Sequence, residues 1–211
     1  MRIVCFDIET RKHTKELSDD REEGFRRLRN GDGGMSAMCL YDFQTDWLYL
    51  YDDNPLSLRA AVSHLEAADV VVGYCSTRFD LPCIEGLSGR RLHIRYHLDL
   101  YRLLARTLGQ RGIVGQRGDY TLDAVCRRTF GRGKNGCGTT VSDLVQQGRY
   151  GEIFNYCGND VRLTRDLLLH VARHGRITTS TRGLLTLSIP DGIRRALNVW
   201  YELSHPTGSG T

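Results

Sequence analysis

An apolar strand that ends in two acids constrains this chain more than any other feature of its sequence. The segment RIVCFDIET (residues 2–10) begins with the β-branched and apolar residues typical of a buried strand. Side chains alternate along a strand, so Asp7 and Glu9 point to the same face. Two like charges this close repel each other unless a proton or a cation lies between them. The rest of the sequence must therefore supply a partner for this pair.

Length and composition exclude several classes of protein. The 211 residues suffice for one domain with a sizeable core, or for one domain with an appendage. No apolar run approaches the roughly 20 residues of a membrane span, and the first acid comes too early for a signal peptide. We therefore expect a cytoplasmic protein with no membrane partner. The seven cysteines are odd in number and contain no CxxC pair, which favours free buried thiols over a structural zinc site.

The basic residues are almost all arginine. The net charge is only +4, but 26 of the 29 basic residues are arginines. The guanidinium fork matches phosphate geometry well, which favours a nucleic-acid partner. A high-GC genome also enriches arginine, so both explanations stay open.

The order of predicted elements indicates an α/β fold. Strands are predicted at 2–8, 35–43, 46–52 and 69–74, and helices at 55–68 and 81–87. Residues 97–109 are predicted to form a short strand that runs into a helix. Helices are predicted near 121–131, 141–148 and 151–172, and the glycine-rich loop at 131–140 lacks the order of a Walker A motif. This order predicts a mixed, five-stranded β-sheet flanked by α-helices.

Two segments fall outside this core pattern. Residues 11–34 are polar, charged and irregular, which indicates either a flap over a cleft or a disordered surface insertion. Residues 177–211 are expected to form a C-terminal extension to a domain at 1–176. The extension should contain a hairpin turning at Arg182–Gly183, a short helix and a disordered tail.

Two further acids lie where they can join the first pair. Asp80 follows a buried strand and precedes a helix, which is typical of an N-cap residue as well as of a ligand. Asp160 lies near the apolar stripe of the helix 151–172, and a buried acid there needs an arginine partner or a metal ion. Tyr156 lies one turn before Asp160, so the two side chains can meet. Tyr156 can equally be a packing residue.

Four carboxylates in one place indicate a particular kind of metal. Hard oxygen ligands suit Mg²⁺ or Mn²⁺ better than zinc. Two such ions about 4 Å apart can hold the attacking and leaving oxygens of a phosphodiester. A divalent cation is then the partner that makes the pair Asp7 and Glu9 tolerable.

Three segments of the chain together resemble one family. FDIET, GYCSTRFDLP and YCGNDVRLT resemble, in order, the three motifs of the DEDD superfamily of 3′→5′ exonucleases, which have an RNase H-like fold. Position 155 is Asn and Tyr156 lies four residues before Asp160, which matches the tyrosine branch. The local sequence is similar to the proofreading exonuclease domains of family B DNA polymerases, and the resemblance covers about residues 1–172.

The resemblance implies a role for each motif residue. Asp7, Glu9 and Asp160 would hold the metal at the attacking water, Asp7 would also bridge to a second metal supported by Asp80, and Tyr156 would orient the water. Substrate contacts are expected from Thr10, Cys75, Arg78, Phe79, Arg132 and Lys134. Cys75 departs from the family, which has Asn there. Asp99 resembles a recurring family acid and is interpreted as a structural cap or arginine partner.

The resulting hypothesis is a metal-dependent 3′→5′ exonuclease that acts on single-stranded DNA and releases nucleoside 5′-monophosphates. No polymerase domain fits in 211 residues, so we expect a free-standing enzyme or a subunit of a replication or repair assembly. The same chemistry on RNA is one alternative, because sugar discrimination depends on contacts to the 2′ position. A nucleic-acid-binding module that keeps the fold without turnover is another.

Overall fold

The computed structural model describes residues 1–109, 117–134, 141–179 and 182–206. Its centre is a five-stranded mixed sheet with helices on both faces, which confirms the predicted α/β class and is consistent with an RNase H-like fold. The strand order is β3-β2-β1-β4-β5, where β1 runs antiparallel to β2 and parallel to β4. The strands are β1 (Ile3–Thr10), β2 (Met35–Asp42), β3 (Trp47–Tyr51), β4 (Val70–Gly73) and β5 (His97–Asp99).

The helices follow the predicted order, with two additions near the N-terminus. They are α1 (Thr14–Leu17), α2 (Arg21–Arg29), α3 (Pro55–Glu66), α4 (Asp80–Ser88), α5 (Leu100–Thr107), α6 (Leu122–Phe130), α7 (Val141–Gln146), α8 (Tyr150–His174) and α9 (Asp191–Ser204). A short 3-10 helix covers Arg117–Tyr120. None of the described helices combines the length and the apolar character that crossing a membrane requires.

The alternation along β1 decides which helix meets the two acids. Ile3 and Cys5 belong to the core cluster that α5, α6 and α8 cover, whereas Val4 and Phe6 belong to the cluster on the opposite face of the sheet. Asp7 continues the face of Ile3 and Cys5 because side chains two residues apart share a face. The acids at the end of β1 therefore lie on the side of the sheet that α8 covers.

The segment 11–34 contains the helices α1 and α2, which corrects the expectation of an irregular or disordered stretch. His13 caps α1 and Asp20 caps α2, where the Asp20 side chain accepts from the backbone of Glu23 at 2.8 Å. Leu17 and Leu28 are buried in the second core cluster. Capping and these two apolar anchors outweigh the polar composition of the segment.

The C-terminal residues pack on the same core as the rest of the chain. A hairpin is formed by β6 (Arg176–Thr179) and β7 (Gly183–Thr186), and α9 follows it. Ile177, Leu187 and Leu197 are buried in the core cluster that contains α8. The division of the chain at residue 176 stays a prediction. Residues 207–211 of the expected disordered tail, and residues 135–140 of the glycine-rich loop, lie outside the described residues.

Candidate metal centre

The end of β1 brings two carboxylates under α8. Asp7 pairs across the sheet with Cys39, and Glu9 pairs with Ala37 just before the register shifts, where Ser36 of β2 is skipped. The Cys157 thiol of α8 donates to the backbone oxygen of Asp7 at 3.3 Å. This contact fixes α8 directly over the acidic end of the strand.

Helix α8 adds the third carboxylate. Asp160 is buried, with 1% of its surface exposed, and lies on the side of α8 that faces β1. Asp7, Glu9 and Asp160 each offer a carboxylate oxygen, and these oxygens lie within 4.8 Å of one another. We call these three residues the acid cluster. The structure thus brings together the two predicted acids of the first motif and the acid of the third.

Burial and mutual repulsion raise the pKa values of the two acids of β1. Burial raises the pKa of Asp7 well above its usual range, and the nearby charges of Asp80, Asp160 and Glu9 raise it further. Burial, with the charge of Asp160, raises the pKa of Glu9 to about 8. A cation among these oxygens would reverse both shifts, because an opposite charge favours the ionised carboxylate.

Asp80 lies beside the acid cluster rather than within it. Burial raises the pKa of Asp80 to about 7, against hydrogen bonds from the backbone amides of Asp80 itself and of Ile8. Asp80 is the first residue of α4, and Phe79 occupies the N-cap position without a side-chain hydrogen bond. The interpretation of Asp80 as the N-cap is therefore wrong.

Lys134 provides the positive charge at the acid cluster. Its Nζ forms an ion pair with Asp160 Oδ2 and lies 3.4 Å from the hydroxyl of Tyr156. Burial lowers the pKa of Lys134, but the charges of Asp160 and Asp7 outweigh burial, and the pKa lies above its ordinary value. Burial still raises the pKa of Asp160, although Lys134 opposes this. One ammonium therefore does not neutralise three carboxylates, of which Asp160 is buried and Asp7 and Glu9 are half-buried.

The position of Lys134 depends on two residues of α6 that sequence reasoning did not identify. Asp123 accepts the backbone amide of Lys134 at 2.7 Å, and Arg127 donates to the Lys134 carbonyl at 3.2 Å. Gly133 passes so close to this pair that a Cβ would come within 2.3 Å of Asp123 Oδ1. The i,i+4 spacing of Asp123 and Arg127 was the available signal, since it indicates an ion pair on one helix face.

Tyr156 lies at the edge of the acid cluster. It is partly buried on α8, one turn before Asp160, and the Lys134 ammonium lies 5.4 Å from the centre of its ring. Burial raises the pKa of Tyr156 to about 12, with the charges of Asp160 and Glu9 adding to the effect and Lys134 opposing it. Its hydroxyl therefore stays protonated and can act as a hydrogen-bond donor.

The acid cluster has the chemistry of a cation site. Within the described part of the chain, the buried Oδ1 of Asp160 has no hydrogen-bond partner. A buried polar atom without a partner is rare, and it costs about 1–3 kcal/mol. Three carboxylates with one such unsatisfied oxygen form a group that could hold a hard divalent cation.

The loop of the second motif is held by Asp99. Its carboxylate accepts the backbone amides of Cys75 at 3.0 Å and Thr77 at 2.9 Å, and it also caps α5 through the amide of Arg102 at 3.1 Å. The interpretation of Asp99 as a cap is confirmed. Cys75 adopts a φ of +65°, a left-handed conformation that Asn tolerates better than Cys.

The other predicted substrate contacts lie around this centre. The Thr10 hydroxyl donates to the carbonyl of Lys12 at 2.9 Å, and Arg78 is exposed in the second-motif loop. The ring of Phe79 packs edge-on against Phe25 of α2, with 6.4 Å between ring centres. Arg132 pairs with Asp166 at 2.8 Å and is largely exposed. The structure therefore brings α2 next to the second motif, which the sequence did not predict.

Comparisons with known proteins identify a shared fold. No protein-family model and no curated protein matches the chain. Among solved structures, the chain is similar to the family B DNA polymerase from the hyperthermophilic archaeon Pyrobaculum calidifontis, with a TM-score of 0.58 and 19% sequence identity. The match covers 81% of this chain and 24% of the polymerase chain, so this chain corresponds to about a quarter of that protein. At this identity the likeness shows the fold alone.

Proposed function

We propose that this chain is a metal-dependent 3′→5′ exonuclease that hydrolyses single-stranded DNA and releases nucleoside 5′-monophosphates. The observation that carries the proposal is the acid cluster: three carboxylates within 4.8 Å, too little positive charge beside them, and a buried oxygen without a partner among the described residues. The order of the three motifs and the fold shared with part of a DNA polymerase support it.

Each acid of the site has a distinct role in the proposal. Asp7, Glu9 and Asp160 would hold one divalent ion, and Asp7 together with Asp80 would hold a second, with Mg²⁺ or Mn²⁺ as the metals that suit carboxylate oxygens. When bound, such ions stabilise negative charge on a phosphodiester and lower the pKa of the attacking water. The four carboxylates contribute by fixing where that charge can be placed.

Tyr156 would position the attacking water and not deprotonate it. Its pKa of about 12 makes the phenolate rare at neutral pH, so the residue is a poor general base. Its hydroxyl lies within reach of Lys134 and one turn from Asp160, and it can therefore donate a hydrogen bond to a group held at the acid cluster. Positioning of this kind would lower the barrier mainly through orientation.

The substrate would be an unpaired strand with a free 3′ hydroxyl. Thr10, Cys75, Arg78 and Phe79 would contact the terminal nucleotides, and Arg132 and Lys134 would contact phosphates. A partner from replication or repair would deliver frayed ends. Hydrolysis should start at the 3′ terminus, and a 3′ phosphate should slow it.

A direct assay tests the proposal. Purified protein is incubated with end-labelled DNA and RNA strands in Mg²⁺, in Mn²⁺ and in chelator, beside an Asp7→Ala variant. We expect shortening of the DNA from the 3′ end only with metal, and a loss of at least about a thousandfold in Asp7→Ala, because metal ions contribute several kcal/mol to the barrier. Faster RNA shortening would favour the exoribonuclease, and activity in chelator would contradict the metal-dependent mechanism.

One observation favours a second candidate, a nucleic-acid-binding module without turnover. Lys134 already places an ammonium on Asp160, so part of the charge that a metal would supply is present. In such a module the chain would bind a strand without shortening it. Binding without hydrolysis in Mg²⁺ and in Mn²⁺, under conditions where the fold is intact, would support this alternative.

A further inference from the structure

A cavity of about 400 Å³ lies between α6, the residues before Lys134 and α8. Its charged lining is strongly positive: five cations and a single acid face it, namely Arg127, Arg132, Lys134, Arg162, Arg165 and Asp166. Like charges gathered around an open space repel one another, and an anion in that space relieves the repulsion.

Two of the arginines hold the walls of the cavity. Arg127 donates to Asp123 at 2.9 Å and to the Lys134 carbonyl, so it holds the backbone of Lys134 in place. Arg165 bonds Asp166 at 2.8 Å and lies 4.8 Å from the ring centre of Tyr41. These two residues position the site and are poor targets for testing it.

The other two arginines are available to a ligand. Arg132 reaches the same carboxylate as Arg165, so Asp166 is shared between two guanidinium groups. Arg162 is exposed one turn before Asp166, and no carboxylate among the described residues pairs with it. The cavity therefore carries more positive charge than its own acid can neutralise.

We propose that this cavity binds a backbone phosphate of a nucleic-acid strand, with Arg132 and Arg162 as its direct contacts. This inference rests on the proposed function, because it assigns the cavity to the same substrate. A guanidinium donates two parallel hydrogen bonds, and this geometry suits phosphate. Lys134 both lines the cavity and bonds Asp160, so the cavity adjoins the acid cluster and a strand whose end reached that cluster would lie near Arg132 and Arg162.

The test measures binding separately from hydrolysis. The variants Arg132→Gln and Arg162→Gln, alone and together, are made in an Asp7→Asn protein so that no strand is consumed. Fluorescence anisotropy with labelled oligothymidylate is recorded over a range of salt concentrations, and unlabelled thymidine monophosphate and inorganic phosphate are added as competitors. Arg59→Gln is the matched control, because Arg59 is an exposed arginine of α3 on the opposite face of the sheet.

We expect each substitution to weaken strand binding roughly tenfold and to reduce the salt slope by about 0.7, the value for one single-strand phosphate contact. Arg59→Gln should change neither quantity beyond the effect of one distant charge, and thermal melting should show that all variants fold. The mononucleotide and inorganic phosphate should compete only weakly, because each presents one phosphate without a strand.

Three results would overturn the inference: no oligonucleotide binding by the parent Asp7→Asn protein, unchanged affinity and salt slope in the double variant, or competition by the mononucleotide as strong as by the strand. The nuclease assay separates this outcome from the proposed function. If strand binding depends on Arg132 and Arg162 but the unmodified chain hydrolyses nothing, the cavity is supported as a phosphate site and the proposed exonuclease activity is contradicted. If the unmodified chain hydrolyses DNA but the double variant binds the strand unchanged, the exonuclease activity is supported and the phosphate site in the cavity is contradicted.

Discussion

Two buried acidic sites lie at opposite ends of the pair β1–β2, and they differ in how their charge is compensated. At the end of β2, Asp42 accepts from Arg2 at 2.7 Å and from the Gln44 amide at 2.8 Å, and it lies 3.0 Å from His64 Nε2. Tyr51 completes this network through His64 Nδ1 at 2.7 Å. Burial raises the pKa of Asp42, but these hydrogen bonds outweigh burial, and the pKa lies below its ordinary value.

At the end of β1 the balance is reversed. Burial raises the pKa values of Asp7, Glu9 and Asp160, the neighbouring acids raise those of Asp7 and Glu9 further, and Lys134 does not restore them. Burial has the same sign in both places, so the number of donors and cations decides the outcome. The site around Asp42 therefore has its charge compensated within the chain, whereas the acid cluster can be stabilised by protons or by a further cation.

The largest expected difference concerns the free energy of unfolding. Asp42→Ala should lower it by about 3–5 kcal/mol, because it leaves His64 and Arg2 without their buried carboxylate. Asp7→Ala should leave it unchanged or slightly higher in chelator, since it relieves repulsion. Urea unfolding of both variants in chelator measures the two values. Equal destabilisation by the two substitutions would show that the charge of the acid cluster is compensated within the chain as fully as the charge of Asp42.

Two tyrosines allow a matched test of function. Tyr156→Phe should lower kcat about tenfold to a hundredfold with metal and DNA binding preserved, at or below the lower end of the range of about 10²–10⁴-fold for a positioned acid–base group. Tyr51→Phe should leave kcat unchanged and cost about 0.5–1.5 kcal/mol of stability, the value of one hydrogen bond. Steady-state kinetics across pH 6–9 and urea unfolding separate the effects. Wild-type kcat in Tyr156→Phe would reduce that residue to a packing role.

A third expected effect is a dependence of stability on pH. Between the ordinary carboxyl pKa values and the values of about 8 for Glu9 and 7 for Asp80, the folded state holds more protons than the unfolded state. Stability in chelator should therefore fall as the pH rises from about 5 to 8. Asp42, with its lowered pKa, loses stability only at acidic pH.

Glu9→Gln provides the control for this pH dependence, because it removes one titrating group and keeps the size of the side chain. The melting temperature of Glu9→Gln should vary less between pH 5 and 8 than that of the unmodified chain. A slope that is identical in the two proteins would assign the effect to other residues.

The sequence predicted the elements whose side chains follow a simple period. Alternation along β1 placed Asp7 and Glu9 on one face, and the i,i+4 spacing on α8 placed Tyr156 beside Asp160. The helices α1 and α2 were missed because the polar composition of the segment 11–34 hid their caps. The pattern of Asp20 with Glu23 three residues later was the available signal.

The position of Lys134 could not be predicted in the same way. Its ion pair joins residues 26 positions apart and depends on contacts of the Lys134 backbone with Asp123 and Arg127. The sequence therefore indicated a phosphate contact for Lys134, whereas the structure places its ammonium on Asp160. No local period carries information about such a contact, because it arises when α6 and α8 pack together.

Calorimetric titration of Mn²⁺ into the metal-free protein tests the central claim most directly. The unmodified chain should show saturable binding that raises its melting temperature, Asp160→Asn should weaken that binding at least tenfold because a ligand is lost, and Asp42→Asn should bind as the unmodified chain does. Lys134→Met should bind Mn²⁺ more tightly, since the competing ammonium is gone. Absence of saturable binding, or equal affinity in Asp160→Asn, would contradict the assignment of the acid cluster as a divalent-cation site.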